Sequence, residues 1–118
     1  MKAGCNELSI IINLYYTGIN GNARKFAEEM ERSGTANLIR SEEGDERYEY
    51  FIPLNDSETV LLIDVWKNQQ SLNLHHASPM MEKIMELRKK YDLHMKVLRY
   101  MCRKESLPAE DADFIKTD

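Results

Sequence analysis

The residues best suited to acid–base chemistry are two adjacent histidines, His75 and His76, in the middle of the chain. They lie near the end of a short predicted helix that Asn68 can cap, and they follow Leu72 by three and four residues. At least one imidazole therefore shares the face that Leu72 buries. Because the unperturbed pKa of histidine is about 6.5, such a group can accept a proton at neutral pH. The structural alternative is a histidine that interacts with the helix dipole or a loop carbonyl.

Two polar residues lie inside apolar runs that predict strands, and each needs a partner or a function there. Asp64 is the only charged residue in the run 59–66, where burying a carboxylate is costly. It can orient a histidine or hold a substrate hydroxyl, and an ion pair with Arg99 or with a group on a neighbouring strand is the structural alternative. Asn13 interrupts the run 8–16, where an unpaired amide is also costly. Both are therefore candidates for a buried site.

Aromatic and flexible side chains near these polar residues could form the walls of a pocket. A tryptophan at the end of a strand is more typical of a core, and tyrosines are common in strands whether or not they bind a ligand. Methionines at the start of a helix are often plastic core, although a flexible wall also suits a flat aromatic ligand. The candidate wall residues are Trp66, Tyr15, Tyr50 and Met80.

The order and spacing of these residues resemble the antibiotic biosynthesis monooxygenase superfamily, and most closely its small quinol monooxygenase-like members. A tryptophan closes an apolar strand, a histidine follows nine positions later, and Ser-Pro-Met comes next. The resemblance covers about residues 8–101. Asp64 departs from it, because many relatives have a glutamate two residues before the tryptophan. The residues that carry the resemblance are Trp66, His75, Ser78, Pro79, Met80, the run Asn13 to Gly18, the run Glu42 to Gly44 and the run Arg47 to Tyr50.

The resemblance implies a cofactor-independent monooxygenase that oxidises a quinol or another polyhydroxy aromatic with molecular oxygen. His75 would be the base, and Asn13 would donate a hydrogen bond to the ligand or to oxygen. Because an electron-rich phenolate can reduce oxygen directly, the protein need supply only a dry pocket, a base and hydrogen-bond donors. The implied substrate-binding residues are Trp66, Asp64, Tyr15, Tyr50, His76 and Met80.

Other functions are compatible with the same resemblance. An isomerase of a small hydroxy-carbonyl compound uses this fold with a similarly placed histidine. A non-catalytic dimeric module could bind a small ligand on it, since fold does not fix function. Haem-degrading relatives have a tryptophan and a histidine where this chain has His75 and Met85, which disfavours that activity.

The pattern of elements predicts an α+β domain with the ferredoxin-like order β-α-β-β-α-β. Apolar strands are predicted over 8–16, 59–66 and 93–101, and an alternating strand over 46–54. Helices are predicted to begin at Asn22, as the capping residue, and at Pro79, with a further helical turn after Gly34. The domain is expected over 6–102, followed by a polar, acidic tail over 103–118.

The apolar strands are apolar on both faces, which predicts a partner. Helices cover one face of such a sheet, so the second face needs another covering surface. In the superfamily that the chain resembles, two sheets pack face to face as a dimeric α/β barrel, and a homodimer is therefore expected. The residues that carry this argument are Ile11, Ile12, Leu61, Leu62, Val97 and Leu98.

Composition excludes several classes of partner. The net charge of -4 gives no basic surface for nucleic acid. No apolar run is long enough for a membrane helix, and no metal-ligand spacing, phosphate-binding glycine loop or flavin motif is evident, so neither metal nor cofactor is expected. The two cysteines, Cys5 and Cys102, are expected to be reduced thiols within disulfide reach, in a cytoplasmic protein.

Overall fold

The structure, a computed structural model, describes residues 8–116. Its sheet has the strand order β2-β3-β1-β4, and every neighbouring pair is antiparallel. The elements are β1 (Ser9–Thr17), α1 (Asn22–Arg32), α2 (Thr35–Arg40), β2 (Asp45–Phe51), β3 (Thr59–Trp66), α3 (Gln69–His76), α4 (Pro79–Lys90), β4 (His94–Cys102) and a 3-10 helix (Ala109–Phe114). The predicted α+β, ferredoxin-like fold is confirmed, and each crossover between strands contains two helices instead of one.

Two of the three predicted helix starts have the expected capping residues. The Asn68 side chain accepts a hydrogen bond of 2.8 Å from the backbone N–H of Ser71, and Ser78 precedes Pro79 at the first position of α4. The third start differs from the prediction, because Gly21 caps α1 in a left-handed conformation (φ 75°). Asn22 is the first helical residue, and its amide donates to the Tyr91 carbonyl, which ties α1 to the end of α4.

The alternating strand is shorter than predicted. β2 ends at Phe51, and Leu54, the last residue of the predicted strand, is fully exposed. Pro53 has no N–H to donate to a neighbouring strand, which explains why pairing stops before it. Tyr48 and Tyr50 both pack towards the core, and β2 lies at the edge of the sheet as that proline suggests.

The core lies between one face of the sheet and the helices. Strand residues alternate between this helix-side face and the opposite face, which we call the open face. The buried helix-side residues include Ile10, Leu14, Tyr16, Val60, Leu62, Asp64 and Trp66, which pack with helix residues such as Phe26, Met30, Leu72, Ile84 and Leu87. The open face carries Ile11, Asn13, Tyr15, Leu61, Ile63, Val65 and Leu98, all partly exposed.

The register fixes which face each predicted site residue occupies. Asp64 lies opposite Ile12 of β1 and Tyr48 of β2, on the helix side. Asn13 is the next residue along from Ile12, so its side chain is on the open face, opposite Ile63 and Leu98.

The segment after β4 adds little to the core. Residues 103–116 are exposed throughout, so the division between domain and tail remains a prediction. Cys102 lies opposite Ser9 at the end of β1, but Cys5 falls outside the described residues, and the predicted proximity of the two thiols remains untested. Among residues 8–116, no helix has the length and apolar character needed to cross a membrane.

Candidate functional site

A small cavity of about 60 Å³ lies between the helix-side face of the sheet and the two helices α3 and α4. It combines apolar walls with a few ionisable groups, which is the composition typical of small-molecule sites. The residues that line it are Ile12, Leu14, Tyr16, Tyr48, Leu62, Asp64, Leu72, His75, His76, Met81, Ile84 and Arg88.

The structure brings four of the predicted site residues together at this cavity. His75 and Asp64 are buried in its wall, and Trp66 packs against His75 with ring centroids 4.8 Å apart and planes 25° from parallel. His76 is exposed and lies beside His75, with ring centroids 5.7 Å apart. Local sequence explains this arrangement, because α3 begins directly after β3 and its buried face presents both Leu72 and His75.

The other predicted residues are more distant from this cluster. Tyr50 reaches it indirectly, since its hydroxyl is 3.0 Å from the hydroxyl of the cavity residue Tyr48. Met80 is partly buried against the core at the start of α4. Asn13 and Tyr15 lie on the open face, so the structure does not bring the two predicted catalytic residues, His75 and Asn13, to the same side of the sheet.

The main partner of His75 is Glu42, to which the sequence analysis assigned no role. The Nδ1 atom of His75 lies 3.0 Å from Oε1 and 3.3 Å from Oε2 of Glu42. Burial lowers the pKa of His75 to about 4, and burial also raises the pKa of Glu42 above its ordinary value. The unperturbed pKa expected for His75 is therefore corrected. At neutral pH the imidazole is therefore uncharged, and its Nδ1 atom shares one proton with the carboxyl group of Glu42.

Gly44 makes this contact between distant segments possible. The backbone N–H of Lys67 donates to the Gly44 carbonyl at 2.8 Å, which docks the segment before β2 onto the end of β3. Gly44 has φ +90°, and a Cβ at this position would lie 2.1 Å from the Ser71 Oγ. Only glycine allows this close approach without displacing α3. In the sequence, the Glu42-Glu43-Gly44 run of the family resemblance was therefore the only feature that could have pointed to Glu42 as a site residue.

Two carboxyl groups on the paired strands β2 and β3, Asp45 and Asp64, have strongly raised pKa values. Burial raises the pKa of Asp64 to about 7, and the charges of Asp45 and Glu42 add to this effect. Burial also raises the pKa of Asp45 to about 7. Asp64 Oδ1 is buried with no hydrogen-bond partner among the described residues. The nearby indole of Trp66 favours the charged form of Asp64, although its N–H makes no hydrogen bond of good geometry. A carboxyl group so perturbed in the wall of a cavity, as Asp64 is, is typical of a functional site.

Arg88 supplies a positive charge to the same cavity, and the sequence analysis did not identify it. Its Nη2 atom donates to the Tyr16 hydroxyl at 2.9 Å, and its guanidinium lies over the Tyr16 ring. The Nε atom of Arg88 is buried with no partner among the described residues. The predicted ion pair between Asp64 and Arg99 is absent from the described ion pairs, because Arg99 is exposed and donates to Gln69 at 2.7 Å.

Two further observations concern alternative sites. A larger and more open groove of about 800 Å³ runs between α1 and β2, but Tyr50 is the only predicted site residue that lines it. One of its three arginines, Arg40, is already bound by Glu31, Asn37 and the Tyr48 carbonyl. Within residues 8–116, no three His, Cys, Asp or Glu side chains are grouped so as to hold a metal ion.

Solved structures share this fold at low sequence identity. A conserved protein from Bacteroides thetaiotaomicron, described as a possible oxidoreductase, has a TM-score of 0.70 and 17% identity, and the match covers 80% of this chain and 98% of that one. A candidate antibiotic biosynthesis monooxygenase from Deinococcus radiodurans has a TM-score of 0.70 and 18% identity, covering 84% and 96%. A conserved protein from Methanosarcina mazei has a TM-score of 0.67 and 21% identity, covering 82% and 94%.

These likenesses establish the fold, while the sequence match establishes the family. The comparison with curated proteins finds no match. The family profile described as antibiotic biosynthesis monooxygenase matches residues 9–87, which include β1, the Glu42 segment, Asp64, Trp66, His75 and most of α4. Because this match spans more than half of the 118 residues, the chain belongs to the antibiotic biosynthesis monooxygenase family.

Proposed function

We propose that this protein is a cofactor-independent monooxygenase that oxidises a small quinol, or another polyhydroxy aromatic, with molecular oxygen. The observation that carries the proposal is the buried, neutral imidazole of His75, which is bound by Glu42 and stacked on Trp66. The imidazole is uncharged at neutral pH and can accept a proton; burial makes it a weak base, and the adjacent Glu42 offsets this by stabilising the imidazolium. Proton removal is the step that makes a quinol reactive towards oxygen.

The reaction needs no electron source besides the substrate. For a dihydroxynaphthalene, one oxygen atom enters the ring and the other leaves as water, so that the diol and O₂ give a hydroxynaphthoquinone and H₂O. The four electrons that reduce O₂ all come from the aromatic substrate. The protein's task is therefore to remove a phenolic proton and to stabilise the anions that form.

Four ionisable groups at or beside the cavity have roles in this scheme. His75 accepts the phenolic proton at Nε2, and the Glu42 carboxylate stabilises the imidazolium that results. Arg88 lies in the same cavity and stabilises the phenolate and the reduced oxygen species. Asp64 accepts a hydrogen bond from a second substrate hydroxyl through a carboxyl oxygen, which it can do whether or not it is protonated.

The substrate must enlarge the cavity when it binds. A cavity of about 150 Å³ can hold benzene, whereas this one has a volume of about 60 Å³. The wall that can move is the start of α4, where Met80 and Met81 are partly buried and Met85 is exposed. Methionine side chains adapt easily to new shapes, so this wall suits a flat aromatic ligand.

The proposed assembly is a homodimer formed through the open face. This face carries a row of partly exposed aliphatic residues, including Ile11, Ile63 and Val65, that the chain's own helices do not cover. Asn13 lies among them, and its Oδ1 atom is buried with no partner among the described residues. Asn13 would therefore find its partner across the interface, and not in the His75 cavity.

The experiment that tests the proposal is oxygen uptake with a dihydroxynaphthalene, in the presence of a chelator and without added flavin. We expect stoichiometric consumption of oxygen and substrate, and a rate lowered by about 10²- to 10⁴-fold in His75→Ala. His94→Ala, at an exposed histidine on β4, is the matched control and should keep the parent rate. A His75→Ala rate equal to the parent would show that His75 is not the base.

The same assay separates the alternative functions. Product formation from a hydroxy-carbonyl compound without oxygen uptake would identify an isomerase. Saturable binding of the quinol with neither oxygen uptake nor product would identify a binding module.

A further inference from the structure

We infer that Glu42 is a positioning residue that holds His75 in the Nδ1–H tautomer, so that Nε2 is the nitrogen that reacts with substrate. This inference rests on the proposed function, in which His75 is the base. It adds a residue from a separate segment of the chain, 33 positions away in sequence, to the machinery of the site.

The geometry of the pair supports this role. Both oxygens of the Glu42 carboxylate lie within 3.3 Å of the same nitrogen of His75. The exposed fractions of the two side chains are 5% for His75 and 16% for Glu42, so water competes little for the contact. When the Glu42 carboxylate is ionised it has no proton to donate, so the shared proton then resides on Nδ1. Neutral histidine in water prefers the Nε2–H form, so the contact reverses the intrinsic preference.

The other groups around His75 do not provide a competing acceptor for Nδ1. Trp66 covers a face of the ring. The titratable and charged groups nearest to it are His76 on the same helix, Arg88 on α4 and Asp64 on β3, and none of them is hydrogen-bonded to either ring nitrogen among the described contacts. Glu42 alone among the described residues determines which nitrogen carries the proton.

The fold holds Glu42 in place by backbone contacts that do not involve its side chain. The Lys67 N–H to Gly44 carbonyl hydrogen bond and the close packing of Gly44 on Ser71 fix this segment against the N-terminal turn of α3. Glu42 can therefore be substituted without removing the contacts that position its own segment. The adjacent Glu43 is exposed and only 3.8 Å from the exposed Lys67, which makes it a matched control carboxylate.

The decisive measurement is the tautomer of His75 in the resting protein, by ¹⁵N NMR of histidine-labelled samples. We expect Nδ1–H for His75 in the parent and in Glu43→Ala, and Nε2–H or a mixture in Glu42→Ala. Glu42→Gln keeps an acceptor oxygen and should retain Nδ1–H. If Glu42→Ala does not fold, Glu42→Asp is the second variant. Its side chain is one methylene shorter, which moves the acceptor away from Nδ1, and it should give a mixture of the Nδ1–H and Nε2–H forms. An Nε2–H form in the parent, or an Nδ1–H form that survives removal of the acceptor, overturns the inference.

Turnover provides the second measurement and separates the two proposals. In Glu42→Ala we expect kcat to fall about 10- to 100-fold, as for other partners that orient a functional histidine, with KM changed less than about twofold. Glu42→Gln should recover most of this loss, and Glu43→Ala should match the parent. If the parent shows no quinol oxidation, the proposed function fails while the tautomer result stands. If quinol oxidation is found but His75 is Nε2–H, only the role of Glu42 fails.

Discussion

The buried carboxyl of Asp64 makes the stability of the fold depend on pH in a direction that can be measured. Burial raises its pKa from 3.8 to about 7, and one pKa unit corresponds to about 1.4 kcal/mol. The folded state therefore loses up to about 4 kcal/mol as the pH rises from about 4 to about 7, because ionisation is easier in the unfolded chain. Below the unfolded pKa, Asp64 is protonated in both states and this loss is absent.

Replacing Asp64 with Asn removes the ionisation and should remove this pH dependence. The free energy of unfolding of Asp64→Asn, relative to the parent, should rise by up to about 4 kcal/mol between pH 4 and pH 8. With a urea m-value of about 1.5 kcal/mol/M, this corresponds to a relative shift in midpoint of roughly 2.5 M urea. Asp45 also has a pKa raised to about 7, but it is present in both proteins and its effect largely cancels in the difference.

The assay is urea unfolding of both proteins at several pH values from 4 to 8, followed by tryptophan fluorescence from the single tryptophan, Trp66. Asp111→Asn, at an exposed carboxyl of the tail, is the control and should show no pH-dependent difference from the parent. A stability difference for Asp64→Asn that stays constant from pH 4 to pH 8 would refute the reasoning, because it would show that the folded protein does not penalise the charged form.

Three further measurements test the identity of the base, the dimer interface and the packing of Gly44 on α3. If His75 is the base, kcat/KM should stay level down to about pH 5, because its pKa is about 4, whereas an acid limb near pH 7 would assign the base to Asp64. The parent should sediment as a dimer at micromolar concentration and Ile63→Glu, on the open face, as a monomer; a monomeric parent would refute the proposed interface. Gly44→Ala should lower the free energy of unfolding by at least about 2 kcal/mol, because φ is +90° and the new Cβ meets Ser71, and unchanged urea unfolding would contradict this.

Local signals predicted the elements that position His75, because they act over a few residues. The Asn68 cap and the Ser78-Pro79 start define α3 and α4, and the spacing from Leu72 to His75 places the histidine on the buried face. These features need no knowledge of the tertiary structure. The same is true of β3, whose predicted and observed limits agree.

The pairing between strands could not be predicted in the same way. Asn13 and Asp64 both interrupt apolar runs, and each was a sound candidate for a buried site. Whether they share a face depends on the register of β1 against β3, and a shift of one residue would move Asn13 to the other side. The observed pairing of Ile12 with Asp64 separates the two candidates. The contact between Glu42 and His75 was hidden for a similar reason, since it depends on how the segment around Gly44 docks on α3.

Because Asn13 and Asp64 lie on opposite faces of the sheet, we expect them to have different roles. The helix side encloses an imidazole, a carboxyl group and a guanidinium in one cavity, where burial lowers the pKa of His75 and raises that of Asp64. The open face carries one buried amide oxygen among aliphatic side chains, which suits a specific contact between two copies and not acid–base chemistry. Substitution of Asn13 should therefore act on assembly, and substitution of Glu42 or His75 on turnover.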